Sequence, residues 1–150
     1  MEFFMSVKRL VQKFGNEPRH IAPETLVAGL VERLSDDNIG AIVVSSDGIT
    51  IDGIVSERDV VRGYSLYGAR IFKCRIDEIM TSDVVTCRIK DDTKDVMEKM
   101  IAYQVRHIPV LDEQNNLAGV ISIRDLIEDH LDEQDFNIPA RFHIIDGDVA

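Results

Sequence analysis

Two segments of the chain repeat one another: Gly53-Ile-Val-Ser-Glu-Arg-Asp59-Val-Val and Gly119-Val-Ile-Ser-Ile-Arg-Asp125-Leu-Ile, offset by 119 − 53 = 66 residues. Carried upstream without a gap, the same offset sets Ile42 against Ile108 and Val44 against Val110. It also pairs Ile39 with Val105, Leu30 with Val96 and Leu34 with Met100. A register that holds position by position over a whole segment calls for two copies of one fold unit.

Within each copy the apolar period changes in a fixed order. Leu26, Leu30, Val31 and Leu34, like Val96, Met97, Met100 and Ile101, recur at three- and four-residue steps and predict an amphipathic helix. Short runs rich in β-branched residues follow, Ala41 to Val44 and His107 to Leu111, and suit buried strands. Polar turns at 45–48 and 112–116 lead into second apolar strands at 51–55 and 117–121, and a second helix starts at Ser56 and at Ser122. The expected class is α+β, tandem β-α-β-β-α repeats with two small sheets packed together, since neither copy alone covers both faces of its sheet. The expected boundaries are 10–68 for the first repeat, 69–82 for a connector, 83–134 for the second repeat and 135–150 for a C-terminal tail. Met5 is an alternative start to Met1.

Charge narrows the partners. With 27 Asp and Glu against 17 Lys and Arg, the net charge is −10, which opposes long-range association with nucleic acid and leaves a small phosphorylated ligand open. Cys74 and Cys87 form no C-x-x-C pair and lack the clustered Cys or His of a zinc site, so they read as reduced thiols of a cytoplasmic protein with no metal. No stretch approaches the roughly 18 apolar residues of a membrane span. There is no Ser-His-Asp or Cys-His set, no paired-His metal motif and no Gly-rich phosphate loop, so no catalytic residue is assigned and an enzyme is the weaker alternative.

Ser56-x-x-Asp59 and Ser122-x-x-Asp125 each fit a capping box, worth about 1 kcal/mol. The same geometry aims free backbone N–H groups at a phosphate, and a carboxylate at that rim can accept two hydrogen bonds from a ribose diol. Arg58 and Arg124 oppose the helix dipole, a cost of a few tenths of a kcal/mol that a phosphate at the helix start would reverse. The copies differ most at Arg106-His107, where the first has Gly40-Ala41. His107 is either an ordinary half-buried histidine beside a strand or a phosphate contact whose titration strengthens binding at lower pH.

The twice-occurring Gly-apolar-apolar-Ser-x-x-Asp, together with Arg106-His-Ile-Pro-Val110 and Asp77-Glu-Ile-Met80, resembles the signature of CBS domains over roughly residues 10 to 133. The resemblance implies a stand-alone CBS pair that binds an adenine nucleotide (AMP, ATP, NAD or NADH) or S-adenosylmethionine between its repeats. Such a pair homodimerises and relays ligand state to a regulated protein. The alternative it leaves open is an interaction or dimerisation module that works without a nucleotide. It further implies that Asp59 and Asp125 hold ribose, with Ser56 and Ser122 nearby. If contacts cross between repeats, one site joins Asp59 to Arg106, His107 and Arg124, and the other joins Asp125 to Ser122, Arg58 and the Gly40-Ala41 edge. Ile21, Ile42, Val85 and Ile108 are candidate adenine walls and equally candidate core residues.

Overall fold

The computed structural model describes residues 5–14 and 19–133. The expected 135–150 tail lies outside them. Helix α1 (Val7–Phe14) precedes the first repeat, which runs β1 (His20–Ile21), α2 (Val27–Asp37), β2 (Ala41–Val44), β3 (Gly53–Ser56) and α3 (Glu57–Tyr67). Two short 3₁₀ turns, Gly68–Lys73 and Ile76–Glu78, lead to the second repeat: β4 (Cys87–Arg88), α4 (Thr93–Tyr103), β5 (His107–Leu111), β6 (Leu117–Ser122) and α5 (Ile123–Glu133). The strands form two three-stranded sheets, β1-β2-β3 and β4-β5-β6, each with one parallel and one antiparallel pair. The fold is therefore the α+β tandem that the patterning predicts.

The 66-residue offset persists in the pairing register. Ile21 pairs with Val44 and Cys87 with Val110, while Ala41 pairs with Ser56 and His107 with Ser122. Helices α2 and α4 both end on a left-handed residue, Asn38 (φ 51°) and Gln104 (φ 54°), also 66 apart. The backbone N–H of each cap donates to carbonyls of the last turn, which closes the helix and turns the chain into β2 or β5.

Two separate apolar cores form, and each recruits a segment from outside its repeat. Leu30, Leu34, Ile42, Val44 and Val55 of the first repeat close over Ile76 from the connecting segment. Val96, Met100, Ile108, Val110 and Ile121 of the second close over Val7 and Leu10 of α1. Backbone bonds fix both attachments: Val27 N donates to Cys74 O at 2.9 Å and Ile76 N to Thr25 O at 2.8 Å, while Val7 N donates to Asp91 O and Thr93 N to Met5 O, each at 2.9 Å. The stretch expected as a connector thus packs as the flank of the first sheet, and α1, whose residues from Leu10 on were expected within the first repeat, flanks the second. The repeat glycines explain how. A Cβ on Gly53 would lie 2.8 Å from Thr81 O, and one on Gly119 would lie 3.3 Å from Val11 Cγ1, so each flanking segment crosses a strand where only a hydrogen projects.

The two units also touch directly. Leu117 N donates to Ile49 O at 2.8 Å across them, and the His107 ring lies 3.4 Å from where a Gly40 Cβ would stand. Strand β2 is buried along its whole length. Ile42 and Val44 face the first core, and Ala41 and Val43, on the opposite face by alternation, are covered as well.

Candidate functional site

Where the units meet lies a cleft of about 390 Å³, within the range of small-molecule sites. One side is the start of α3, carrying Ser56, Glu57, Arg58, Asp59 and, one turn on, Arg62. Thr81, Asp83, Val84 and Val85 form an adjoining wall, held there because Thr81 exchanges two backbone hydrogen bonds with Ile54 at 2.9 and 3.0 Å. The second repeat supplies the facing wall, Tyr103 to His107, projected by the sharp turn at Gln104.

Asp59 performs the capping task. Ser56 N and Ser56 Oγ both donate to its Oδ2, at 2.8 and 3.1 Å. The other oxygen, Oδ1, accepts no hydrogen bond from the described residues, so capping leaves one carboxylate oxygen available to a ligand hydroxyl. At the next helical position inward, Glu57 N donates to Gly40 O at 3.0 Å, which seats the helix start on the cleft edge.

The lining carries three arginines, Arg58, Arg62 and Arg106, against three carboxylates, Glu57, Asp59 and Asp83. In a chain of net charge −10 this is a local enrichment of positive charge. Among the described residues none of these arginines forms an ion pair. His107 is held neutral to lower pH than a free imidazole. Burial opposes its protonation, Asp125 and then Glu57 favour it, and Arg106 opposes it again, the balance falling below 6.5.

The structure brings Asp59, Ser56, Arg58, Arg106 and His107 onto one cleft, together with the Gly40-Ala41 edge. This differs from the crossed grouping in two respects. Arg58 and Gly40-Ala41 stand on the Asp59 side, because α3 starts where β2 begins. Arg124 is not part of this lining; its Nε donates to Glu128 at 3.0 Å one turn along α5. Ser122 and Asp125 repeat the capping box, with Ser122 N donating to Asp125 Oδ2 at 2.9 Å and Asp125 N to Ser122 Oγ at 3.1 Å. Cleft residues Asp83 and Val84 correspond at the repeat offset to Glu17 and Pro18, outside the described residues. Of the four apolar candidates only Val85 lines the cleft. Ile21, Ile42 and Ile108 are buried in the two cores and do not line it.

Sequence reasoning missed Arg62, Thr81, Asp83 and Tyr103. Arg62 was within reach, since its partner at the repeat offset is Glu128, a reversal of charge just after the matched Arg-Asp and the two apolar residues that follow it. The strip from Thr81 carries no local signal, because its place depends on pairing with Ile54. Cys87 is enclosed in the second core, and burial first, then Asp91, against the opposing pull of Lys99, pushes its thiol up to about 12. Among the described residues no group of three or more His, Cys, Asp or Glu is placed to hold a metal, and no helix is long and apolar enough to cross a membrane.

The family model for the CBS domain matches twice, at residues 7–65 and 76–131. An uncharacterized 17.7 kDa protein of Acidianus ambivalens is 29% identical over 112 residues, which are 75% of this chain and 66% of that protein. A putative signal-transduction protein with CBS domains from Burkholderia ambifaria superposes with a TM-score of 0.81 at 31% identity, covering 89% of this chain and 99% of the other. Two further solved structures share the fold at lower identity. A CBS domain protein of Pyrobaculum aerophilum complexed with AMP has a TM-score of 0.72 at 23% identity, over 81% and 90% of the two chains. The CBS domain pair of protein MJ0100, complexed with 5′-methylthioadenosine and S-adenosyl-L-methionine, has 0.74 at 20% identity, over 83% and 94%.

Proposed function

Because the chain belongs to the CBS domain family, we propose that it is a regulatory module that binds an adenine nucleotide in the cleft between its repeats. The observation that carries this reading is the convergence of Asp59 from one repeat with Arg106 and His107 from the other, beside Arg58 and Arg62. In this reading Asp59 Oδ1 accepts from the ribose, Arg58, Arg106 and His107 meet phosphate oxygens with Ser56 alongside, and Val85 packs on the base. Asp125, with Ser122 and Arg124, serves a second, inequivalent site. The AMP and S-adenosylmethionine complexes of the fold relatives support an adenosine-type ligand.

The cleft is made by both units, so a ligand that touches both favours one relative orientation of the two. A partner that reads that orientation senses occupancy, and the module needs no catalytic step of its own. A second copy of the chain is the proposed cover for the exposed apolar residues of the helices, Val61, Tyr64 and Tyr67 on α3 and Ile123 and Ile127 on α5. Sedimentation of the chain should then show a dimer.

Thermal denaturation with AMP, ATP, NAD, NADH and S-adenosylmethionine tests the ligand reading. A true ligand at 100 times its Kd adds about 2.7 kcal/mol of stability. Asp59→Ala should abolish the shift from the Asp59 cleft. A folded protein whose melting moves with none of these ligands refutes nucleotide binding and leaves a docking module that works without one.

A further inference from the structure

Arg58 and Arg62 occupy successive turns on the cleft side of α3, and both line the cleft. Like charges four residues apart destabilise an isolated helix. The second repeat relieves the equivalent position, where Arg124 Nε bonds Glu128 Oε1 at 3.0 Å. In the first repeat an arginine replaces that glutamate, so the two cations stand together, and neither has an ion pair among the described residues. Arg106 joins them from the opposite wall. A single phosphate held at the start of α3 would be met by Arg58 and Arg106, leaving Arg62, about 6 Å further along the helix, with no ion pair among the described residues.

We propose that the Asp59 cleft selects adenosine ligands carrying two or more linked phosphates, and that Arg62 is the residue that confers the selection. This rests on the adenine-nucleotide reading above and narrows it to a ligand class: ADP, ATP and NAD share the diphosphate, while AMP and S-adenosylmethionine lack it. Arg62 is exposed, on the surface of its helix, so its replacement leaves both cores untouched.

Titration calorimetry of the full chain with AMP, ADP, ATP, NAD and S-adenosylmethionine tests this, repeated at two salt concentrations. At least one diphosphate ligand should bind about tenfold or more tighter than AMP, as one added charge-assisted contact supplies. Its affinity should fall more steeply with salt than that of AMP. In Arg62→Gln the preference should shrink to about threefold or less, with AMP affinity changed less than about twofold. Arg62→Glu, which restores the pairing pattern of the second repeat, should remove it. Equal binding of AMP and the diphosphates by the unmodified chain overturns the inference while leaving nucleotide binding intact. Equal weakening of AMP and ADP by Arg62→Gln also overturns it, since the arginine would then act on any anion. Failure of every adenosine ligand to bind overturns both readings.

Discussion

Replacing Gly53 and Gly119 by alanine separates two glycines that the sequence presents as equivalent. At Gly53 the new methyl would lie 2.6 Å from Met80 Sδ and 2.8 Å from Thr81 O. The methionine side chain can swing away, but the carbonyl belongs to the segment that exchanges two backbone hydrogen bonds with Ile54. Relief therefore means displacing Thr81 and weakening both bonds, at about 0.5–1.5 kcal/mol each, or roughly 1–3 kcal/mol. Alanine returns about 0.4–1 kcal/mol by restricting the unfolded chain, because Gly53 is not among the positive-φ glycines. The net loss is ~1–2 kcal/mol, a fall in Tm of about 2–8 °C for a chain of this size. At Gly119 the methyl meets only side-chain atoms of Val11, at 3.3 and 3.5 Å, and the change should stay within about 0.5 kcal/mol. Thermal melts followed by circular dichroism give both numbers. Thr81 borders the cleft, so Gly53→Ala should also weaken nucleotide binding while Gly119→Ala does not. Equal melting temperatures for the two variants would refute the account of the flanking segment as a close-packed wall.

Three other outcomes follow from single groups. His107 binds its proton less readily in the folded chain than in the unfolded one, so its neutral form contributes stability that is complete above about pH 6.5 and is lost as pH falls through the lowered value; His107→Gln should flatten stability over that window in a pH series of denaturant melts. A bound phosphate would favour the proton, so affinity for NAD, whose diphosphate keeps its charge over this range, should rise as pH drops below about 6.5 in the unmodified chain and stay level in the variant. Cys87, buried and with its thiol pushed up to about 12, should resist alkylation at pH 8 under native conditions, while the half-buried Cys74 reacts first in a mass-spectrometric time course. Lys13→Ala removes the 3.0 Å ion pair that α1 makes with the nearly buried Asp129, and should cost ~1–2 kcal/mol by chemical denaturation, less than a fully buried pair because the lysine end is partly exposed.

The repeat alone determined the order of elements, the twin sheets and the two helix caps. These are local matters: apolar period selects helix or strand, a Ser-x-x-Asp start satisfies the first N–H groups, and a constant 66-residue offset carries each assignment from one copy to the other. It also holds the exchange of Glu128 for Arg62 at the repeat offset. What the sequence could not decide is which segment completes which core, and therefore which side chains share a cleft. Leu10 serves the second unit from the far end of the chain, Ile76 serves the first from beyond its last helix, and Thr81 reaches the cleft only by pairing with Ile54. Ile42 and Ile108 were equally eligible for core or ligand by sequence, and the packed chain buries both in the cores. Arg58 and Arg124 match in sequence, yet one lines the cleft while the other pairs along its helix with Glu128. The physical reason is that hydrophobic burial carries no direction or address. Periodicity marks the face that must be covered, and only the packed chain determines which segment covers it and which charges are then set facing one another.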